Sequence, residues 1–203
     1  MLRIKTPATV EPVTLTEAKQ YASVHPDTTD DDDMLAGMIS AARLKFEEES
    51  GYLLTERTYE LEVNSCDVQT NREGNSVLYL PIRPALAINS IGDLTAPDPD
   101  ADPDPIAGDW TLDVDEKGIG RIRLAEGVTI SEETVLEFTA GFPIEIGEEQ
   151  EAEPSVVGVP PLAKLALKTL ISHWYRNREA YDERNIRAVA ATFESVVRNF
   201  RLA

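Results

Sequence analysis

The chain has 203 residues, 42% of them apolar, enough for one compact unit with an ordinary core. Its formal net charge is −18, yet from Val156 onward eight Lys and Arg outweigh four Asp and Glu, which leaves −22 on the residues before. An acidic body of this kind repels phosphate and excludes a general nucleic-acid grip, and no apolar run reaches the roughly 20 residues that span a bilayer.

The start, Met1 to Leu15, lacks the apolar stretch of a secretory signal, so the sequence predicts a cytoplasmic chain. Thr14-Leu15-Thr16-Glu17 fits a capping box and predicts a short helix to Ala22. A longer helix is expected from Asp31 to Ser50. Asp30 to Asp33 supply negative charge at its first turn, Leu35, Met38, Ile39, Ala42 and Phe46 mark its buried stripe, and Gly51 stands where a C-cap glycine belongs.

After Gly51 the hydrophobic period falls from near 3.6 to 2, which predicts strands at 58–63, 76–80, 87–94, 110–114, 120–124 and 134–139. The stretches 96–105 and 144–155 are rich in acids and proline and read as solvated loops. From Pro160 to Glu179 a strong helix is expected, begun by Pro160 and Pro161 and closed by a cationic end at Arg176 and Arg178. Its covered face is predicted from Leu162, Leu165, Ala166, Thr169, Leu170, His173 and Trp174. A last helix carries Ile186, Val189, Ala190, Phe193, Val197 and Phe200 at helical spacing. Helices at both ends that pack together, with an antiparallel sheet or small sandwich inserted between them, give an α+β fold. The helical core is then expected at about 12–51 and 159–203, and the β insertion at about 52–142.

Little chemistry is legible. Asp98, Asp100 and Asp102 imitate the first ligands of a calcium loop, but Pro103 and Asp109 stand where that loop needs glycine and glutamate. The run Asp30 to Asp33 is explained by a helix N-terminus, and His25 and His173 read as turn and packing residues. No nucleophile elbow, phosphate-binding glycine loop or H-E-x-x-H pattern is present. The reading is therefore of a non-enzyme without metal or other cofactor. Two alternatives stay open: a β-type binding module or tail accessory protein presenting Tyr59, Tyr79 or Trp110, and a metal-dependent hydrolase built on the aspartate clusters.

The ordered blocks PVTLTEAKQYASV (12–24), MISAARLKFEEESGYLL (38–54), LYLPIRPALAINSI (78–91), LEFTAGFP (136–143) and VPPLAKLALKTLISHWYRNRE (159–179) resemble the head-tail connector, or adaptor, proteins of tailed bacteriophages, prophages and gene-transfer particles. The resemblance implies a single connector domain over residues 1–203 that works by assembly. Copies would form a homo-oligomeric ring under a portal protein, extend the DNA channel without sequence-specific binding, and dock a stopper or tail completion protein. It would reside in the virion neck, after assembly in the host cytoplasm, with no membrane role. By position at the chain end, the resemblance implies portal docking through Arg198, Asn199, Phe200, Arg201 and Leu202. The spacing of Phe200 with Phe193 and Val197 equally fits a local core. For contacts between subunits the candidate cations are Arg176, Arg178, Arg184 and Arg187, facing the acidic body of a neighbour. Truncation after Ala191 is expected to leave the fold largely intact and to abolish portal attachment.

Overall fold

The structure, a computed structural model, describes residues 1–71, 76–93, 104–105, 110–125, 130, 134–145, 155–177 and 183–202. The side chains of 93, 104–105, 155, 183–190 and 202 fall outside that description. The fold is α+β, with helices towards both ends of the chain and antiparallel sheets between them. The chain divides into two compact units, one of Met1–Ala8 with Glu56–Gly141 and one of Thr9–Thr55 with Phe142–Ala203.

Apart from a 3-10 turn at Ser65–Asp67, the regular elements of the first unit among the described residues are strands. They are β1 (Leu2–Thr6), β2 (Arg57–Val63), β3 (Val68–Thr70), β4 (Ser76–Tyr79), β5 (Ala85–Asp93), β6 (Asp104–Pro105), β7 (Trp110–Val114), β8 (Gly120–Leu124) and β9 (Thr134–Ala140). One sheet has the order β1-β2-β9-β5-β6 and the other the order β3-β4-β8-β7. Strand β9 lies at the centre of the first sheet and is buried along nearly its whole length, as a run rich in Val, Leu and Phe dictates. Tyr59 of β2 stands opposite Phe138 of β9, and the rings stack with centroids 5.6 Å apart. Glu137 is the half-buried exception on β9. Its carboxylate takes Lys5 Nζ at 2.5 Å and Asn89 Nδ2 at 3.2 Å. Burial works against its charge, but these two donors outweigh it and hold the carboxyl below the usual range.

Gly120 marks where the sheets meet within this unit. A Cβ there would lie 2.6 Å from Ala85 Cβ and 2.6 Å from a Leu80 methyl carbon, so only glycine fits without displacement. The Gly120 carbonyl accepts from Leu80 N–H at 2.9 Å, and the Gly118 carbonyl accepts from Ala85 N–H at 3.0 Å.

The second unit holds α1 (Leu15–Ala22), α2 (Asp32–Ser50), the short pair β10 (Ile144–Glu145) and β11 (Ser155–Val156), α3 (Pro161–Arg176) and α4 (Glu183–Leu202). Thr14 caps α1 as expected: Glu17 N–H donates to Thr14 Oγ1 and Thr14 N–H to Glu17 Oε2, both at 3.1 Å. Gly51 ends α2 at φ 68°, where L residues with a Cβ are strained. Helix α3 packs against all three other helices. Ala163, Ala166, Leu167, Leu170 and Ile171 meet Leu35, Ile39 and Phe46 of α2 and Phe193 and Val197 of α4 in one apolar core. Phe46 receives Phe193 edge-on at 6.1 Å.

A polar knot lies beside that core. Arg43 of α2 donates through Nε to Glu11 at 2.7 Å and through NH1 to Glu47 at 3.0 Å, while Glu47 accepts Leu54 N–H at 3.0 Å. Arg43 and Glu47 are buried. Burial opposes the guanidinium charge, yet the two carboxylates more than compensate and raise its proton affinity.

Three sequence expectations are corrected. Of the covered face predicted for α3, Ala166 and Leu170 are buried and Trp174 packs on the core, but Leu162 and Leu165 are 45% and 49% exposed. The core also takes Ala163, Leu167 and Ile171, so the buried face is turned away from the first two leucines, and Ala163 and Ala166 let neighbouring helices approach closely. Strand β1 had no reading in the sequence pattern, since all five of its residues are exposed and it is held by backbone pairing to β2 rather than by burial. The acidic stretches carry strand at their edges, at 104–105, 144–145 and 155–156, while 96–103 and 146–154 lie outside the described residues. Finally, Phe193, Val196 and Val197 are buried, so truncation after Ala191 removes part of the core.

Candidate functional site

The chain end splits into two groups. Phe200 of α4 is half-buried and packs on Phe46 at 5.2 Å and Tyr52 at 5.6 Å, both edge-on. Arg201 donates through Nε to Glu49 O at 2.8 Å, which satisfies one of the orphan carbonyls at the end of α2. These two side chains close the monomer. Arg198 and Asn199 are exposed beside them, and the Leu202 side chain lies outside the described residues.

Among the candidate cations, Arg176 is exposed at the end of α3 and donates to Ser23 Oγ at 3.3 Å. Arg184 and Arg187 lie on α4, with side chains outside the described residues, and Arg178 is outside altogether. The four are therefore not brought together by the described geometry.

A surface that the sequence pattern missed does come together on α1 and α3. Leu162 and Leu165 stand outward on α3, and Tyr21 of α1, 41% exposed, donates or accepts a hydrogen bond with Thr169 at 3.1 Å. Lys168 Nζ lies 3.1 Å from Glu17 Oε1. Burial opposes the Glu17 charge, but the Thr14 amide and then Lys168 outweigh it, leaving that carboxyl below its usual range. Tyr21, Val157, Pro161, Lys164, Leu165 and Lys168 line an open groove of about 540 Å³. Helix α2 has an outward stripe of its own: Asp33, Gly37, Ala41, Leu44 and Glu48 are all exposed, Leu44 at 54%. The available signal was Leu44 itself, an apolar residue on the wheel opposite Leu35, Ile39, Ala42 and Phe46.

The acidic and aromatic candidates take structural positions. Asp31 accepts from Tyr175 Oη at 2.7 Å. Asp32 Oδ1 lies 2.5 Å from Lys19 Nζ in an ion pair without hydrogen-bond alignment, and the same lysine donates to Pro26 O at 3.2 Å. His173 is half-buried with its Nδ1 3.0 Å from Asn177 Nδ2. Asp98, Asp100, Asp102 and Asp109 lie outside the described residues, and among those described no group of three or more His, Cys, Asp or Glu could hold a metal ion. Tyr59 is buried, Trp110 half-buried and Tyr79 exposed. Cys66 is exposed. Among the described residues no helix is long and apolar enough to cross a membrane.

The described residues thus define an α+β fold, with four helices in one unit and two antiparallel sheets in the other. That fold is shared with chains of gene transfer agent particles. A chain in the neck of an empty particle, computed with C6 symmetry, superposes with a TM-score of 0.67 at 20% identity over 99% of this chain and 95% of its own. A chain from the virion of the native particle gives 0.64 at 21% identity over 96% and 94%, and one from the native neck, computed with C12 symmetry, gives 0.61 at 20% over 99% and 94%. No family model matches the sequence, and no curated protein does.

Proposed function

We propose that this chain is a structural protein of the neck of a tailed, phage-like particle, acting as a head-tail connector. In this role copies form a ring under the portal, extend the channel through which DNA passes, and offer a docking surface to stopper or tail proteins. The observation that carries the reading is the likeness in fold to neck chains across nearly the full length of both partners, since a shared local motif would have matched only a part. The symmetric assemblies in which those neighbours occur favour a ring, and a closed ring needs two different faces per subunit.

The charge distribution supports the channel role. A body carrying −22 before Val156 offers sliding DNA few of the phosphate contacts that would stall it. Portal docking falls to the exposed end of α4, with Arg198 and Asn199 as its free-standing members and Phe200, Arg201 and Leu202 as its base. Arg176, with Arg178, Arg184 and Arg187, supplies cations for contacts between subunits. No bond is made or broken in this function, and it uses no cofactor. The particle assembles in the host cytoplasm.

The test is genetic. Deleting the gene from a producing strain should yield DNA-filled heads without tails, restored by the chain supplied from a plasmid, and antibody labelling should mark the neck. Normal tailed particles from the deletion strain would refute the reading.

A further inference from the structure

Helix α3 carries Lys164, Lys168 and Arg176 and no acidic residue, and its outward side presents Leu162 and Leu165. The outward stripe of α2, by contrast, begins at Asp33, ends at Glu48, and holds Gly37, Ala41 and Leu44 between them. At about 100° per residue these five positions fall within an arc of about 80°, a single continuous face. Neither Asp33 nor Glu48 has an ion pair with another side chain among the described residues. The α2 stripe therefore holds small and apolar residues between two acidic ends, while α3 shows leucines in its first turns and cations along its length, and the charges are opposite.

The spacings also agree. Eleven residues separate Asp33 from Leu44, and eleven separate Leu165 from Arg176. Laid antiparallel with Leu44 against Leu165, the two helices bring Asp33 opposite Arg176 over a span of about 16 Å. The same register sets Gly37 over Ser172, which is buried, and Ala41 over Lys168, so the small side chains on α2 leave room for Tyr21 of α1, bonded to Thr169 on this part of α3; a Cβ on Gly37 would meet nothing within 4 Å in its own copy. Glu48 then lies near Pro161, within reach of Lys164, at the groove of about 540 Å³ beside Leu165. The antiparallel sense also sets the negative C-terminus of each helix dipole beside the positive N-terminus of the other.

We infer that the outer stripe of α2 in one copy docks antiparallel on the outer face of α3 in the next copy, with Leu44 seated against Leu165 and Asp33 paired with Arg176. Because the two faces differ, the contact is heterologous and propagates from copy to copy, as a ring requires. The inference rests on the connector reading, and gives it a defined interface.

Disulfide capture tests it on the full chain. Cys66 is first replaced by serine, because it is exposed. Leu44→Cys and Leu165→Cys in the same molecule should then give, on mild oxidation, a ladder of covalent oligomers. Either cysteine alone should give no dimer, and an equimolar mixture of the two single variants should stop at the dimer. Covalent trapping registers weak contacts, so stable association in dilute solution is not needed. A charge swap adds a second readout: Asp33→Lys or Arg176→Asp should each lower the trapping rate about tenfold, and together they should restore it. Dimers from one single-cysteine variant would mean a like-with-like contact and overturn the inference. A missing ladder, with the protein still found in purified particles, also overturns it and leaves the neck reading standing. Absence of the chain from particles sinks the neck reading whatever ladder forms.

Discussion

Replacing Arg43 by methionine isolates the polar knot of the helical unit. Methionine keeps most of the volume and the apolar stem, so packing changes little, while the guanidinium that joins Glu11 to Glu47 is lost. The Glu47 side chain is only 6% exposed. Its carboxylate then remains buried, holding the Leu54 amide but without the Arg43 guanidinium, and breaking a buried pair from one side costs about 3–5 kcal/mol. That is a large part of a typical domain's stability of about 5–15 kcal/mol. Glu47→Gln in the same chain keeps an acceptor for Leu54 and removes the stranded charge, so the double variant should recover at least half of the loss. Urea unfolding followed by the fluorescence of Trp174, in a Trp110→Phe background so that the helical unit alone reports, measures both values. A single-variant cost below about 1 kcal/mol would refute the view that this pair is a buried, mutually dependent charge system and class it with surface ion pairs.

Further outcomes follow from other parts of the molecule. Truncation after Ala191 takes Phe193, Val196 and Val197 from the core, and since a single Phe→Ala there costs about 3–5 kcal/mol, the helical unit should no longer unfold cooperatively in calorimetry. Gly120→Ala in the β unit drives a methyl into Ala85 and Leu80 and should cost about 1–3 kcal/mol, read by Trp110 fluorescence in a Trp174→Phe background. Glu17 and Glu137 have folded-state pKa values below the ordinary carboxylate range, so their contributions are present above the unfolded value of about 4.3 and fade as pH falls through the folded values. Lys168→Met should flatten that acid-side slope by less than about 1 kcal/mol, because Lys168 and Glu17 are partly open to solvent; an unchanged slope between about pH 5 and pH 3 would contradict it.

Local signals were the legible ones. Thr14 with Glu17, Gly51, and the switch of period after it define α1, α2 and the start of the β region, because capping and periodicity act over a few residues. The partition of strands into two sheets was not legible, since the order β1-β2-β9-β5-β6 is set by pairings between distant segments. Arg43 and Glu47 have the spacing of an ordinary surface pair on a helix. Only the wheel position of Arg43 beside Ala42 and Phe46 hinted at burial, and its partner Glu11 comes from a segment without periodicity. Of the candidate cations, nothing in the spacing told that Arg176 would meet Ser23, a contact made across the turn of a different helix.

Helix α3 shows why the misplaced face matters for assembly. The leucine pattern pointed to Leu162 and Leu165, while the fold buries Ala163, Ala166, Leu167, Leu170 and Ile171 against the other three helices. The helix is thus apolar over more of its circumference than its own unit uses, as the contact proposed between copies requires. Full burial of a leucine is worth about 1.5–3 kcal/mol, so two half-exposed leucines together hold back about that much. Tyr21 and Leu44 add a comparable reserve. Against an association cost of about 4–15 kcal/mol, one such contact holds a free dimer poorly. In a closed ring every copy makes the contact twice, and the last copy to join gains two interfaces for one loss of translational freedom. An interface of this size therefore favours complete rings on a template over open chains in solution.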